Sequence, residues 1–420
     1  IDRASGAATA WNPGANQYVN VLAVNSTTVY AAGGFSVLGG QSRSRLGAVS
    51  ASTGLATAFA PVPNSGVGVL TLDGTTVFAG GDFTTLGAEP RGSIAAYNAT
   101  TGALLPWNPN VVGTVYALAA GGGIVYAGGS FTSAGGQTRN RLAAFDSTTA
   151  AVTAWDPNVN NTVRCLLLSG SRVYFGGQFT TVGGSTRTRG ACVSTAGVLQ
   201  SWNANATSTI SALVTDGTYI YAGGGFTNIG GQPRSALAQL NATSGVATAW
   251  NPSVLGPVNA LYMPDAATLY LGGNFTTVAG FSRPNLALLN VTAGTVSTWA
   301  PAPNGIVTAL APSQFSGQIY VGGAFTTIGG AAISRLALVR PSRNSVSTWA
   351  PQPDDAVTAL ASSGSTLWIG GGFQNIGHLP KSNVSCAISL SAVDVPAGGA
   401  AAEFALRVSP NPGHGPLAIE

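Results

Sequence analysis

The chain has 420 residues, 45% of them hydrophobic and only 7% charged, with a formal net charge of +4. That is length enough for a large core, and 16 of the 17 bases are arginines with no Lys/Arg run, which excludes a basic nucleic-acid groove. No stretch approaches the ~18 uninterrupted apolar residues of a spanning helix, and the charge falls far below the roughly 25–35% usual on a soluble surface, so the surface is expected to be glycosylated, covered by a partner or packed against copies of itself.

In chain order, Ile1 and Asp2 fall in mid-repeat, at the places of Phe145 and Asp146 in a later copy. That is expected of a mature chain whose leader has been removed. A unit of about 48 residues then recurs, marked by Phe35, Phe83, Phe131, Phe179, Phe226, Phe275, Phe325 and Phe373. A second aromatic runs half a period earlier: Trp11, Phe59, Trp107, Trp155, Trp202, Trp250, Trp299 and Trp349. A period of this length belongs to a propeller blade.

In the third copy, β-prone stretches at Val115 to Ala120, Ile124 to Gly129, Arg141 to Asp146 and Val152 to Trp155 alternate with Gly, Asn, Asp and Ser turn signals. No helical period appears, so the fold class is all-β. Four strands per period, repeated eight times, predict an eight-bladed β-propeller of four-stranded blades over residues 1–390. The small apolar first strand belongs innermost and the Trp segment outermost, its ring filling the wedge between blades. Paired glycines such as Gly128 and Gly129 are read as points of close strand approach, since no helix follows them to make a phosphate cradle. Val384 to Leu390 matches a third strand with no fourth after it, while the missing Trp strand stands at Ala7 to Trp11. The N-terminal strand is therefore expected to complete the last blade and close the ring.

After Leu390 the repeat stops. A linker over 391–403 leads into a C-terminal tail, 404–420, FALRVSPNPGHGPLAIE. With its hydrophobic strand running into the turn Pro410 to Pro412, the tail resembles the beginning of the Ig-like C-terminal sorting domains of the type IX secretion pathway in Bacteroidetes-like bacteria. That resemblance implies a secreted, cell-surface protein that engages the type IX secretion machinery through its tail. The repeats, clearest in YAGGSFTSAGGQTRNRLAAFD, resemble the delta-60 repeat of bacterial surface proteins, a propeller family whose resemblance implies a fold and no catalytic residues. Local departures are Phe59 for Trp, Ile333 for the basic residue of the seventh copy, and Trp368 where Tyr is usual.

The strongest candidate site is a ring of cations eight residues past the marker Phe: Arg43, Arg91, Arg139, Arg187, Arg234, Arg283 and Lys381, interrupted by Ile333. A second Arg follows in four copies, at Arg45, Arg141, Arg189 and Arg335. Guanidinium forks match carboxylate and phosphate, so such a face is suited to an acidic polysaccharide or a lipid headgroup. The plainer alternative is that each Arg hydrogen-bonds carbonyls of its own long loop. Strict repetition favours the latter, because recognition sites tend to differ between blades.

Catalytic material is sparse. His378 and His414 are the only histidines, and Asp354 and Asp355 the only adjacent acids, read as a turn between the outer strand and the next blade. No zinc, calcium or nucleophile-elbow spacing appears, so neither a catalytic residue, a metal nor another cofactor is expected. Cys165, Cys192 and Cys386 are expected free and buried, the first two with a strand between them at about twice 4.8 Å, beyond disulfide reach. Sugar platforms need exposed rings, and Trp368, outside the repeat's Trp position, is the one candidate indole for such a platform.

The sequence is thus read as an extracellular, non-enzymatic surface propeller for adhesion or structure, with itself or a cell-surface glycan as partner and neither nucleic acid nor a membrane span. One alternative is a lectin-like binder of acidic polysaccharide, which predicts salt-sensitive retention. Another is a polysaccharide-degrading lyase or hydrolase, which predicts a deep pocket lined by paired carboxylates or by Arg and Tyr.

Overall fold

The structure is a computed structural model that describes residues 10–313, 317–363, 366–377, 379–380, 384–387, 408–411 and 415–419. Within them the chain forms small antiparallel sheets, with one short 3-10 turn at Pro341–Arg343. Each unit is built alike. Val115–Gly121 pairs with Ile124–Gly129, which pairs on its other edge with Leu142–Asp146. Gly122 and Gly123 join the first two strands with φ of 62° and 76°, the positive pair that a two-residue hairpin of the right twist demands.

The first strands pack against one another in sequence: Val19–Val24, Val67–Asp73, Val115–Gly121, Val163–Ser169, Ile210–Thr215, Val258–Asp265, Val307–Pro312 and Val357–Ser363. The last of these also packs against the first. The order of strands within a sheet, first to third, is the one expected. This all-β arrangement of small sheets packed on their neighbours is that of a β-propeller.

Two expectations about strands need correction. Arg141 does not open the third strand, which begins at Leu142; its φ of 64° takes it out of the extended region. The fourth strand is cut to a single bridge, Phe145 to Val152, in this unit. The reason is local. Thr153 donates both its N–H and its hydroxyl to the Ala144 carbonyl, at 3.0 and 3.1 Å, and its Oγ1 then accepts the Trp155 N–H at 3.2 Å. A side chain that takes the backbone donor turns the chain out of the ladder. Paired fourth segments occur at Leu199–Asn203, Thr295–Val296 and Ser345–Val346.

The repeated aromatics seal the wedges. Trp107 lies edge-on between Phe78 of its own unit and Phe145 of the next, with centroids at 5.1 and 5.9 Å. Its Nε1 donates to Asp146 O at 2.8 Å, as Trp155 does to Ser194 O at 2.7 Å. Trp11 follows the same rule, donating to Ser50 O at 3.0 Å, and it shares a buried cluster with Trp368 and Val384 from the far end of the repeats. Trp368 is only 2% exposed, so it is ruled out as a sugar platform: the position faces the interior between units.

The glycine pair acts as expected. A Cβ on Gly128 would lie 2.6 Å from Val163 Cγ1 in the next unit, and one on Gly129 would lie 2.0 Å from the Thr114 carbonyl. Cys165 and Cys192 are free and buried, separated by the strand Arg172–Gly177. The Cys386 side chain, His378, Lys381, His414, the leading residues 1–9 and the linker 391–403 lie outside what the structure describes. Val408–Asn411 and Gly415–Ile419 pair as an antiparallel hairpin.

Candidate functional site: the arginine ring and its gap

The loop between second and third strands carries its own small hairpin, Ser133–Ala134 against Gln137–Thr138. Sequence reading missed it, although the Gly135-Gly136 turn, φ 55° and 74°, is its signal. The hairpin ends at the ring arginine and aims it at the outer segment of its own unit. Arg139 Nη1 donates to Thr138 O at 2.9 Å and Nη2 to Thr153 O at 2.8 Å. Arg234 donates Nε to Trp250 O at 3.1 Å, Nη1 to Pro233 O at 2.8 Å and Nη2 to Thr248 O at 2.5 Å.

The pattern is general for the described ring cations. Arg43, Arg91, Arg187 and Arg283 send Nη2 to Thr57 O, Leu105 O, Gln200 O and Ser297 O, at 2.8, 3.5, 3.0 and 2.9 Å. Each also sends Nη1 to the carbonyl of the residue before it. Two acids stand nearby, Glu89 at 3.6 Å from Arg91 and Asp156 at 3.6 Å from Arg139. The guanidinium therefore ties loop to outer segment through main-chain acceptors, the plainer of the two roles weighed above.

The second arginines do related work. Arg45, Arg141, Arg189 and Arg335 share a left-handed φ of 62° to 67°. Arg141 Nη1 donates to Ser130 O at 2.6 Å, Arg189 Nη1 to Gln178 O at 3.0 Å, and Arg335 Nη1 to Ala324 O. Elsewhere Asn285 takes the position and donates to Pro303 O at 2.9 Å.

At Ile333 the ring is broken. Ile333 is buried among Trp299, Ile328 and Val339, and beside it lies a cavity of about 450 Å³ lined by Thr298, Trp299, Ala300, Pro301, Gly329, Ala331, Ile333 and the segment Asn344 to Thr348. The carbonyl before Ile333, on Ala332, accepts from Gln352 Nε2 at 3.3 Å instead of from a guanidinium.

A different series lies on the first strands. Each carries a β-bulge after its first residue, and the bulged residues differ from unit to unit: Asn20, Gly68, Tyr116, Arg164, Ser211, Asn259, Thr308 and Thr358. Arg164 Cζ stands 4.6 Å over the Tyr116 ring. Thr308 Oγ1 donates to Val357 O at 2.8 Å, and Thr358 Oγ1 to Val19 O at 3.0 Å. Sequence reading passed over this set, though a single varying residue between two constant apolar ones was its signal.

Titration behaviour reflects packing. Burial pushes the Cys165 and Cys192 thiols up to about 12, and it raises Tyr126, Tyr174 and Tyr97. Such thiols stay protonated and unreactive at neutral pH. No group of three or more His, Cys, Asp or Glu is placed to hold a metal among the described residues.

Residues 216–246 match a family described as a domain of unknown function (DUF5122) beta-propeller. No curated protein matches the chain. Among solved structures the chain is similar to the computationally designed Ika8 protein, with a TM-score of 0.61 and 16% identity over 90% of this chain and 99% of that one. At that identity the likeness speaks for the fold.

Proposed function

We propose that the sheets close into one eight-bladed ring whose last blade is completed by the leading segment around Trp11, and that this ring is a secreted, non-enzymatic cell-surface module for adhesion or self-assembly. Closure is supported by one bond repeated: the hydroxyl-to-carbonyl step that links Thr308 to Val357 also links Thr358 to Val19, 339 residues away. The shared cluster of Trp11, Trp368 and Val384 supports it from the outer side. Export rests on the tail's resemblance to a type IX sorting signal.

The observation that carries the assembly reading is the rim. Leu55, Val198 and Val246 hold equivalent places at the start of the outer segment, four residues before Phe59, Trp202 and Trp250, and are 65, 60 and 56% exposed. Single exposed apolar residues are ordinary. Their recurrence at one radius gives a disc several equivalent apolar edges, and with 7% charge little repulsion opposes contact between copies. Chemistry has no part in this reading: the ring guanidiniums are spent on carbonyls and the thiols on packing.

Electron microscopy with sedimentation velocity tests it. Eightfold discs should gather into ordered arrays as concentration rises, and Leu55→Asn, Val198→Asn and Val246→Asn together should disperse the arrays and leave the discs. Discs that stay single at every concentration would overturn assembly, and another blade count would overturn the ring.

A second reading, a binder of acidic glycan, draws on Arg164, which lies over the Tyr116 ring and whose side chain, unlike those of the ring arginines, makes no hydrogen bond with a described residue. It predicts retention on an acidic glycan column that weakens with salt and with Arg164→Gln.

A further inference from the structure

We infer that the cavity beside Ile333 is a binding socket for a guanidinium group, vacated by the repeat's own arginine. Two independent observations meet there. The first is chemical. In each of the other described units the carbonyl thirteen or fourteen residues past the ring arginine accepts its Nη2, from Thr57 O to Ser297 O. The equivalent acceptor in the Ile333 unit is Ser347 O, whose residue keeps its place: its N–H donates to Leu338 O at 2.9 Å, as Thr153 N–H does to Ala144 O at 3.0 Å. Among the described residues no donor reaches the Ser347 carbonyl, and isoleucine has none to offer.

The second observation is spatial. The neighbouring elements have not collapsed onto the missing side chain, and about 450 Å³ remains, bounded by Ser347, Thr348, Thr298 and Trp299. That is within the roughly 300–1,000 Å³ of small-molecule pockets. The walls select for a cation. They hold the Ser347 main-chain acceptor with the hydroxyl-bearing residues Thr298, Ser345 and Thr348, and no basic residue lines the space. A flat, forked donor fits better than an ammonium, since the sister sites hold that shape. Gln352, already on the Ala332 carbonyl, replaces one of the two lost bonds and leaves the other to the ligand.

The guanidinium has two possible sources: a free small molecule, or an arginine side chain of another polypeptide. This inference stands apart from assembly at the rim, which uses other residues. The test is calorimetric titration of the full chain with agmatine, with its carbamoyl analogue, neutral at the urea head that replaces the guanidinium, and with the peptide Gly-Arg-Gly. Agmatine should saturate and bind at least tenfold more tightly than the carbamoyl analogue. Binding should be lost in Ile333→Arg, which refills the socket from within, and in Ala331→Phe, which obstructs it from an exposed lining position without touching the carbonyls. Tighter binding of the peptide than of agmatine assigns the socket to a polypeptide arginine, and the reverse to a small molecule. Equal binding of the carbamoyl analogue, no saturable binding of either guanidinium ligand, or binding untouched by both substitutions would overturn it.

Discussion

Arg234 and Ile333 hold the same place in two units of one chain, eight residues past Phe226 and Phe325, and their surroundings diverge from that point only locally. Around Arg234, 8% exposed, three donors meet three carbonyls. Around Ile333 one carbonyl has been passed to Gln352 and a cavity lies beside the isoleucine. The strands behind are alike: Ile220 to Gly224 and Ile319 to Gly323 pair in the same register with their first and third strands. The guanidinium is thus an internal cross-link of loop to outer segment, dispensable to the sheet and decisive for the space beside it.

The largest expected effect tests whether the two units are otherwise equivalent. A Cβ on Gly224 would lie 2.2 Å from Thr209 O, and one on Gly323 2.2 Å from Ile306 O. Both obstacles are backbone, so Gly224→Ala and Gly323→Ala should each cost about 3 kcal/mol or more, measured by urea denaturation. Equal losses sharpen the comparison. A clearly smaller loss at Gly323 would mean that the Ile333 unit is loose throughout, and its cavity a symptom rather than a local gap.

Next in size is the exchange at the ring itself. Arg234→Ile removes three charge-assisted bonds and leaves part-buried carbonyls without donors, at a cost of about 2–4 kcal/mol, and should open a cavity like that beside Ile333 in a crystal structure. Arg234→Lys should recover only part of the loss, because an ammonium cannot span the fork. If Arg234→Ile costs nothing, the cross-link has no role in stability and the ring's cations must be explained by what they bind.

The difference between these two units was half legible. Ile333 stands out in the sequence as a break in a strict series, but its consequence does not, because the partners of the ring arginines are main-chain carbonyls, which leave no mark in a sequence. The same holds for the short fourth strand, where a β-prone run lost to the Thr153 hydroxyl. Features fixed by volume were readable. Phe131, Trp107 and the Gly128-Gly129 pair recur because each fills or vacates space that a neighbouring unit defines, and the contact between Gly128 and Val163 repeats at Gly223 with Val258 and at Gly322 with Val357. Trp368 was singled out because it lies outside the repeat's Trp position, but the place it fills, that of Tyr30 and Tyr126, is interior in every unit.

The smallest effect lies at the connections between units. The one entering the Ile333 unit is clasped by Asn304, whose Oδ1 accepts from Thr326 N at 2.7 Å and Thr327 N at 3.0 Å. The one leaving it uses Asp354, which accepts from Gln374 N at 2.7 Å, Asn375 N at 3.0 Å and Asn375 Nδ2 at 2.7 Å. Partial burial pushes the Asp354 carboxyl up, but the donors of Asn375 and Gln374 together outweigh it and hold its pKa below the ordinary value. A depressed folded pKa means that the clasp's contribution is complete above the unfolded value of about 3.9 and is lost as pH falls through the folded one. Thermal unfolding of Asp354→Asn should therefore match the parent chain more closely as pH drops below about 4, while an Asn304→Ala chain keeps the same deficit at every pH. A parent chain whose unfolding is no more acid-sensitive than Asp354→Asn would show that the two clasps are interchangeable, with the carboxylate's charge idle.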